Sequence, residues 1–206
     1  MTWRRVAAVI VLLIGIGLGL LTWLAPGGRY RYEREVNIPL SRKPATPEEA
    51  LPEIWERARN WREDAVLDGL GVWFQDRSTD MDQAIYIYAF ASEWQRLWSK
   101  WWLNYIVTVD AGKGSIVEEV AIAGGPHNAG QDIGFSSWKV SSTEALQMAE
   151  EMGGRQFRER VPDFEVSMRA TGWWFVRYTH LDDDGFFYEL AINPYTREAK
   201  VMENPW

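Results

Sequence analysis

The chain has no cysteine and only two histidines, His127 and His180, among its 206 residues. The first absence excludes disulfide staples and thiolate catalysis, and it leaves both sides of a membrane open as compartments. The second leaves little for a histidine-assisted nucleophile, and without a His or Cys cluster a zinc site lacks its converging ligands. Acids are missing from the first 28 positions, which hold two of the 22 Lys and Arg. Residues 29–206 therefore set 20 basic against 29 acidic side chains, a net charge of −9. That balance excludes an unfocused nucleic-acid binder. Aromatic residues are abundant, with 13 Trp, 8 Tyr and 8 Phe, so the chain carries enough core-forming surface to exclude intrinsic disorder.

What is present begins with Val6 to Ala25, an uncharged run of twenty residues preceded by Arg4 and Arg5 and closed by Pro26-Gly27-Gly28. Twenty helical residues at about 1.5 Å each span a hydrocarbon core of about 30 Å. Residues 1–28 read as an N-terminal transmembrane anchor. A cleaved secretory signal is the rival reading, because Ala25-Pro26-Gly27 offers small residues around a cut; the apolar run exceeds the usual signal core. Five cations beyond the run, Arg29, Arg31, Arg34, Arg42 and Lys43, prevent the positive-inside count from setting orientation. Residues 29–43 are expected to be a juxtamembrane linker or strand, with Tyr30, Tyr32, Val36 and Ile38 alternating with polar residues.

Thr46-Pro47-Glu48-Glu49-Ala50-Leu51 has the marks of a helix start, with Thr46 as cap, Pro47 at the first helical position and Glu49 closing a capping box. Ser141-Ser142-Thr143-Glu144-Ala145-Leu146 repeats the arrangement, and Gly153-Gly154 is expected to end the second helix. Each helix precedes stretches rich in β-branched and aromatic residues with period-two alternation. Strands are expected near 65–74, 83–91, 103–110 and 115–123, and again near 164–170, 173–180, 186–193 and 198–202. Tyr105 to Asp110 can be laid over Tyr188 to Asn193. The expected fold is α+β: an N-terminal transmembrane helix, then two repeated units, each one helix packed on an antiparallel β-meander. The units are residues 44–123 and 138–206, separated by a Gly-rich joint at 124–137.

The pattern Ser/Thr-x-x-Glu-Ala-Leu, helix, strands, then aromatic-x-hydrophobic-x-hydrophobic-Asp resembles the PepSY domain, which is cystatin-like in shape. Two copies behind one anchor are similar to small extracytoplasmic proteins of Gram-positive bacteria. The resemblance covers about residues 44–206 and implies an extracytoplasmic, non-enzymatic module that regulates peptidases or envelope proteins. Asp110-Ala111-Gly112-Lys113-Gly114 and Asn193-Pro194-Tyr195-Thr196-Arg197 depart from the family's Asp-x-x-Thr-Gly ending, so no residue role is carried over.

Between helix start and shared tyrosine the first unit is 12 residues longer than the second, and the excess falls at 92–103. Ser92 and Gln95 form a capping-box pattern, and Trp94, Leu97, Trp98 and Trp101 share a helical stripe, so a short amphipathic helix is expected there. Trp94, Trp98, Trp101 and Trp102 are the candidate binding residues, against the plainer reading that they pack on the sheet or the joint. Asp182-Asp183-Asp184-Gly185 reads as a hairpin turn, since it lacks the ligand spacing of a calcium loop. No catalytic set, metal site or cofactor is implied. The expectation is a membrane-tethered, extracytoplasmic, non-catalytic binding or regulatory module with an envelope-protein partner and no nucleic acid. A glycan-binding or structural wall component and a tethered hydrolase are the alternatives.

Overall fold

A computed structural model of the chain describes residues 31–96, 99–123 and 132–203. Nine strands form a single antiparallel sheet: β1 (Arg31–Pro39), β2 (Val66–Trp73), β3 (Ile85–Arg96), β4 (Ser99–Asp110), β5 (Ser115–Ala123), β6 (Phe164–Ala170), β7 (Trp174–His180), β8 (Asp183–Ile192) and β9 (Ala199–Glu203). Their order across the sheet is β1-β5-β4-β3-β2-β6-β7-β8-β9. This corrects the expected α+β pair of separate helix-on-meander units. The two four-strand runs are one sheet, because β2 and β6 pair through Leu70↔Ala170, Gly71↔Arg169, Val72↔Met168 and Trp73↔Ser167. The physical reason is edge chemistry: a lone run would leave the N–H and C=O groups of β2 and β6 unpaired, and joining the edges satisfies both.

Helices cover one face. The first, α1 (Pro47–Trp61), buries Ala50, Leu51, Ile54 and Ala58 at helical spacing, each apolar side chain of Leu or Ile size contributing about 1.5–3 kcal/mol. Pro47 starts it as expected, but Thr46 makes no side-chain cap; Glu49 instead accepts from the Ala45 N–H at 3.1 Å. The second helix, α2 (Ser142–Ala149), does carry the Ser141–Glu144 capping box. Beyond Ala149 the chain makes a wide turn over Glu150–Gly154 in which Gly153, at φ 143°, is non-helical, so the glycine pair breaks the helix as expected; a separate short helix, α3 (Arg155–Arg160), starts after the kink. Two tyrosines occupy the space beneath the kink: an added Cβ on Gly154 would lie 2.5 Å from the Tyr178 ring and one on Gly153 3.1 Å from Tyr188.

The helices are tied together as well as to the sheet. Glu48, in the first turn of α1, accepts from the backbone N–H and the hydroxyl of fully buried Ser142 at 2.6 Å each, so an acid of one helix caps the N-terminus of the other. Beneath them Tyr86, Tyr88, Phe90, Val107 and Val109 from one side of β2 and Trp174, Val176, Tyr178 and Leu190 from the other are fully buried in one continuous core.

Two further expectations are corrected. The 92–103 insertion is not an amphipathic helix. β3 and β4 run through it with unbroken antiparallel pairing from Ile85↔Asp110 to Arg96↔Ser99. Twelve consecutive pairs, with the β-preferring Trp side chains, outweigh about two helical turns of stripe. The expected single-pass anchor is likewise not carried forward: among the described residues no helix is long and apolar enough to cross a membrane, and residues 6–25, which prompted the expectation, lie outside them.

Candidate binding channel on the uncovered sheet face

On the helix-covered face the charged groups are engaged in holding the fold. Glu119 of β5 accepts from Tyr105 of β4 and Arg57 of α1, and Trp61 stacks on Tyr105 with centroids 5.0 Å apart. Burial works to raise the Glu119 carboxyl, but the hydrogen bonds from Arg57 and Tyr105 prevail and hold it below the usual carboxylate range. Burial first, and the carboxylate second, push the Tyr105 phenol well up. A second set repeats the chemistry: Glu150 accepts from Arg158 Nε at 3.0 Å and from the Tyr178 hydroxyl at 2.7 Å, with Tyr178 again pushed up by burial and then by Glu150. Each Arg–Glu–Tyr set pins a helical segment to the sheet.

The opposite face is different. One register row crosses the whole sheet through Glu35, Glu118, Thr108, Ile87, Gly71, Arg169, Phe175, Ala191 and Lys200, so these backbone positions share the side that no described helix covers. At its middle is a depression of about 240 Å³, floored by Gly71 and bounded by Trp73, Arg169, Phe175, Arg177 and Glu189. Trp73 is 52% exposed although it lies on the central strand. The Arg169 guanidinium lies over the Phe175 ring at 4.6 Å, and Arg177 lies over Phe187 at 3.7 Å while its Nε donates to Thr179 at 3.2 Å. Glu189, opposite Arg177 in register, is only 9% exposed.

Two larger concavities, about 580 Å³ beside Trp61 to Asp64 and about 480 Å³ beside Pro52, Trp55 and Arg59, are lined mainly by consecutive residues or by one helix flank. The sheet channel draws on four strands, β2, β6, β7 and β8. That convergence makes it the stronger site.

Gly71 gives the channel its depth. A glycine inside a strand costs roughly 0.5–1 kcal/mol relative to alanine. Its φ is ordinary, and an added Cβ would sit 3.6 Å from the Ile87 Cβ, a normal contact. Neither conformation nor internal packing asks for glycine here. A strand position without a side chain leaves room for close approach from outside.

The sequence-predicted site residues lie elsewhere. Trp98 is outside the described residues; Trp94 and Trp101 are register partners, and half-buried Trp102 pairs with Glu93. Seven residues separate Ile87, beside the channel, from Trp94 on the same strand, about 23 Å at strand rise. The structure does not bring Trp102, or the backbone positions of Trp94 and Trp101, to the channel. What sequence reasoning missed was Gly69-Leu70-Gly71-Val72-Trp73, where both glycines and the tryptophan share one strand face. His127 falls outside the described residues, and His180 accepts from the Asp182 N–H at 3.0 Å. Among the described residues no three His, Cys, Asp or Glu side chains gather as metal ligands. Compared with family models, with curated proteins and with solved structures, the chain matches none.

Proposed function

We propose that the chain is a non-catalytic binding or regulatory module that receives a polypeptide partner on the uncovered face of its sheet. The observation that carries this reading is Trp73, half-exposed on the central strand beside a glycine floor. A large aromatic next to a cavity is the usual anchor of a protein contact, and its burial would remove apolar surface that the monomer leaves in water. The charged sets on the other face support the same reading, since both hold helices to the sheet.

A random dodecapeptide library displayed on phage, selected on the immobilised full chain, tests this. Peptides enriched on the wild type are expected to be lost on Trp73→Ser. No enrichment, or equal retention by the variant, would sink the reading.

A further inference from the structure

Resting on that reading, we infer that the Gly71 channel takes an extended acidic peptide segment, its backbone over Gly71 and a Glu or Asp carboxylate on Arg169. Three observations converge on this one depression. The first is the glycine itself, joined on the same strand face by Gly69 two residues away, where an added Cβ would also meet only ordinary contacts, the nearest being the Ala170 carbonyl oxygen at 3.6 Å. Two glycines at strand period bare the central strand on one side, the shape into which another backbone fits.

The second is Arg169, directly across the β2–β6 pair from Gly71. The chain has 29 acids to 22 basic residues, so its cations have carboxylates in excess to choose from. Arg57, Arg77, Arg158 and Arg197 each take one. Arg169 makes no ion pair among the described residues, and its guanidinium carbon lies over the Phe175 ring, 4.6 Å from the centroid. A guanidinium fixed on an aromatic ring keeps its N–H edge available for a planar carboxylate.

The third is the arrangement of charge. Arg169 borders the depression without a carboxylate partner among the described residues, so this part of the rim is cationic on a chain that is anionic overall. No described residue donates a hydrogen bond to Glu189, which is nine-tenths buried. Its oxygens still reach solvent, and an incoming backbone N–H would take the place of that water. A cationic or neutral segment would leave Arg169 unanswered, whereas an acidic one satisfies Arg169 through its side chain and Glu189 through its main chain.

Anisotropy titrations of the full chain with three fluorescein-labelled heptapeptides, sharing the frame Ser-Val-X-Phe-X-Val-Ser with X as Glu, Lys or Gln, decide the matter. The Glu peptide is expected to bind at least tenfold more tightly than the other two. Arg169→Glu should reverse the order in favour of Lys, and Gly71→Val should weaken the Glu peptide at least tenfold. If Gly71→Val fails to fold by circular dichroism, Gly71→Ala, whose Cβ meets only ordinary contacts, replaces it with the same direction of effect. Equal binding of Glu and Lys peptides would overturn the acidic class, while Trp73-dependent peptides from the phage selection would leave the broader reading standing. Concentration-dependent dimerisation abolished by Trp73→Ser would assign the channel to a second copy and overturn the inference too.

Discussion

Gly154 and Gly71 look alike on paper and are held for opposite reasons. Behind Gly154 the Tyr178 ring lies where a Cβ would go, at 2.5 Å. Gly154→Ala is therefore expected to cost about 2 kcal/mol or more in urea unfolding, since an overpacked core must shift backbone or ring. Gly71→Ala meets no such obstacle and removes unfolded-state freedom, so it is expected to stabilise the chain by about 0.5 kcal/mol while shallowing the channel. A destabilisation above about 1 kcal/mol would show that internal packing holds this glycine after all. Glu119 allows a pH test. Its carboxyl is lowered by Arg57 and Tyr105 after burial is overcome, so its contribution is fully present above the unfolded value of about 4.3 and is lost as pH falls through the folded one. Glu119→Gln should flatten the loss of stability between neutral and acid pH; parallel curves for the two proteins would refute that assignment.

At the scale of elements, the second helix shows how local signals and tertiary contacts divide the work. Its start is readable, because Ser141 and Glu144 close a capping box within four residues. Its break at Gly153 is readable too, but the tight fit beneath the glycine pair is not, because Tyr178 and Tyr188 arrive from other strands. Glu48 is a similar case: it reads as an ordinary acid of a first turn, yet it caps Ser142, 94 residues away. Glu48→Ala is expected to cost about 1–2 kcal/mol, the range of lost caps. Amide exchange at 142–145 should accelerate well beyond that at 54–58, and uniform acceleration would argue against a local cap. The 92–103 segment reverses the lesson. Its apolar spacing fits a helix, but the strand partner that decides its conformation lies in its own second half, and periodicity alone does not see it.

The whole molecule rests on four residue pairs between β2 and β6 and on a core continuous beneath both helices. Because the buried side chains of the two strand runs touch one another, urea unfolding of the full chain is expected to be one transition, with far-ultraviolet dichroism and tryptophan fluorescence coinciding. Two separated transitions would show that the runs fold independently despite the shared sheet. The same joining of edges creates the candidate channel. Gly71 and Trp73 come from one run, Arg169, Phe175, Arg177 and Glu189 from the other, and only the β2–β6 register places them side by side.

Local sequence by itself determined where helices begin and where most strands lie, since caps and period-two alternation act over a few residues. It also determined the chain's acidity and its lack of cysteine, which no folding event alters. The tertiary structure alone decided that the strands form one sheet, that the Trp-rich insertion is a hairpin arm, and that a glycine floor meets an arginine with no ion pair among the described residues. The joining of β2 to β6 depends on edges that meet across 94 to 100 residues, and the hairpin arm on pairing between its own two halves, neither of which a periodicity read along the chain reports.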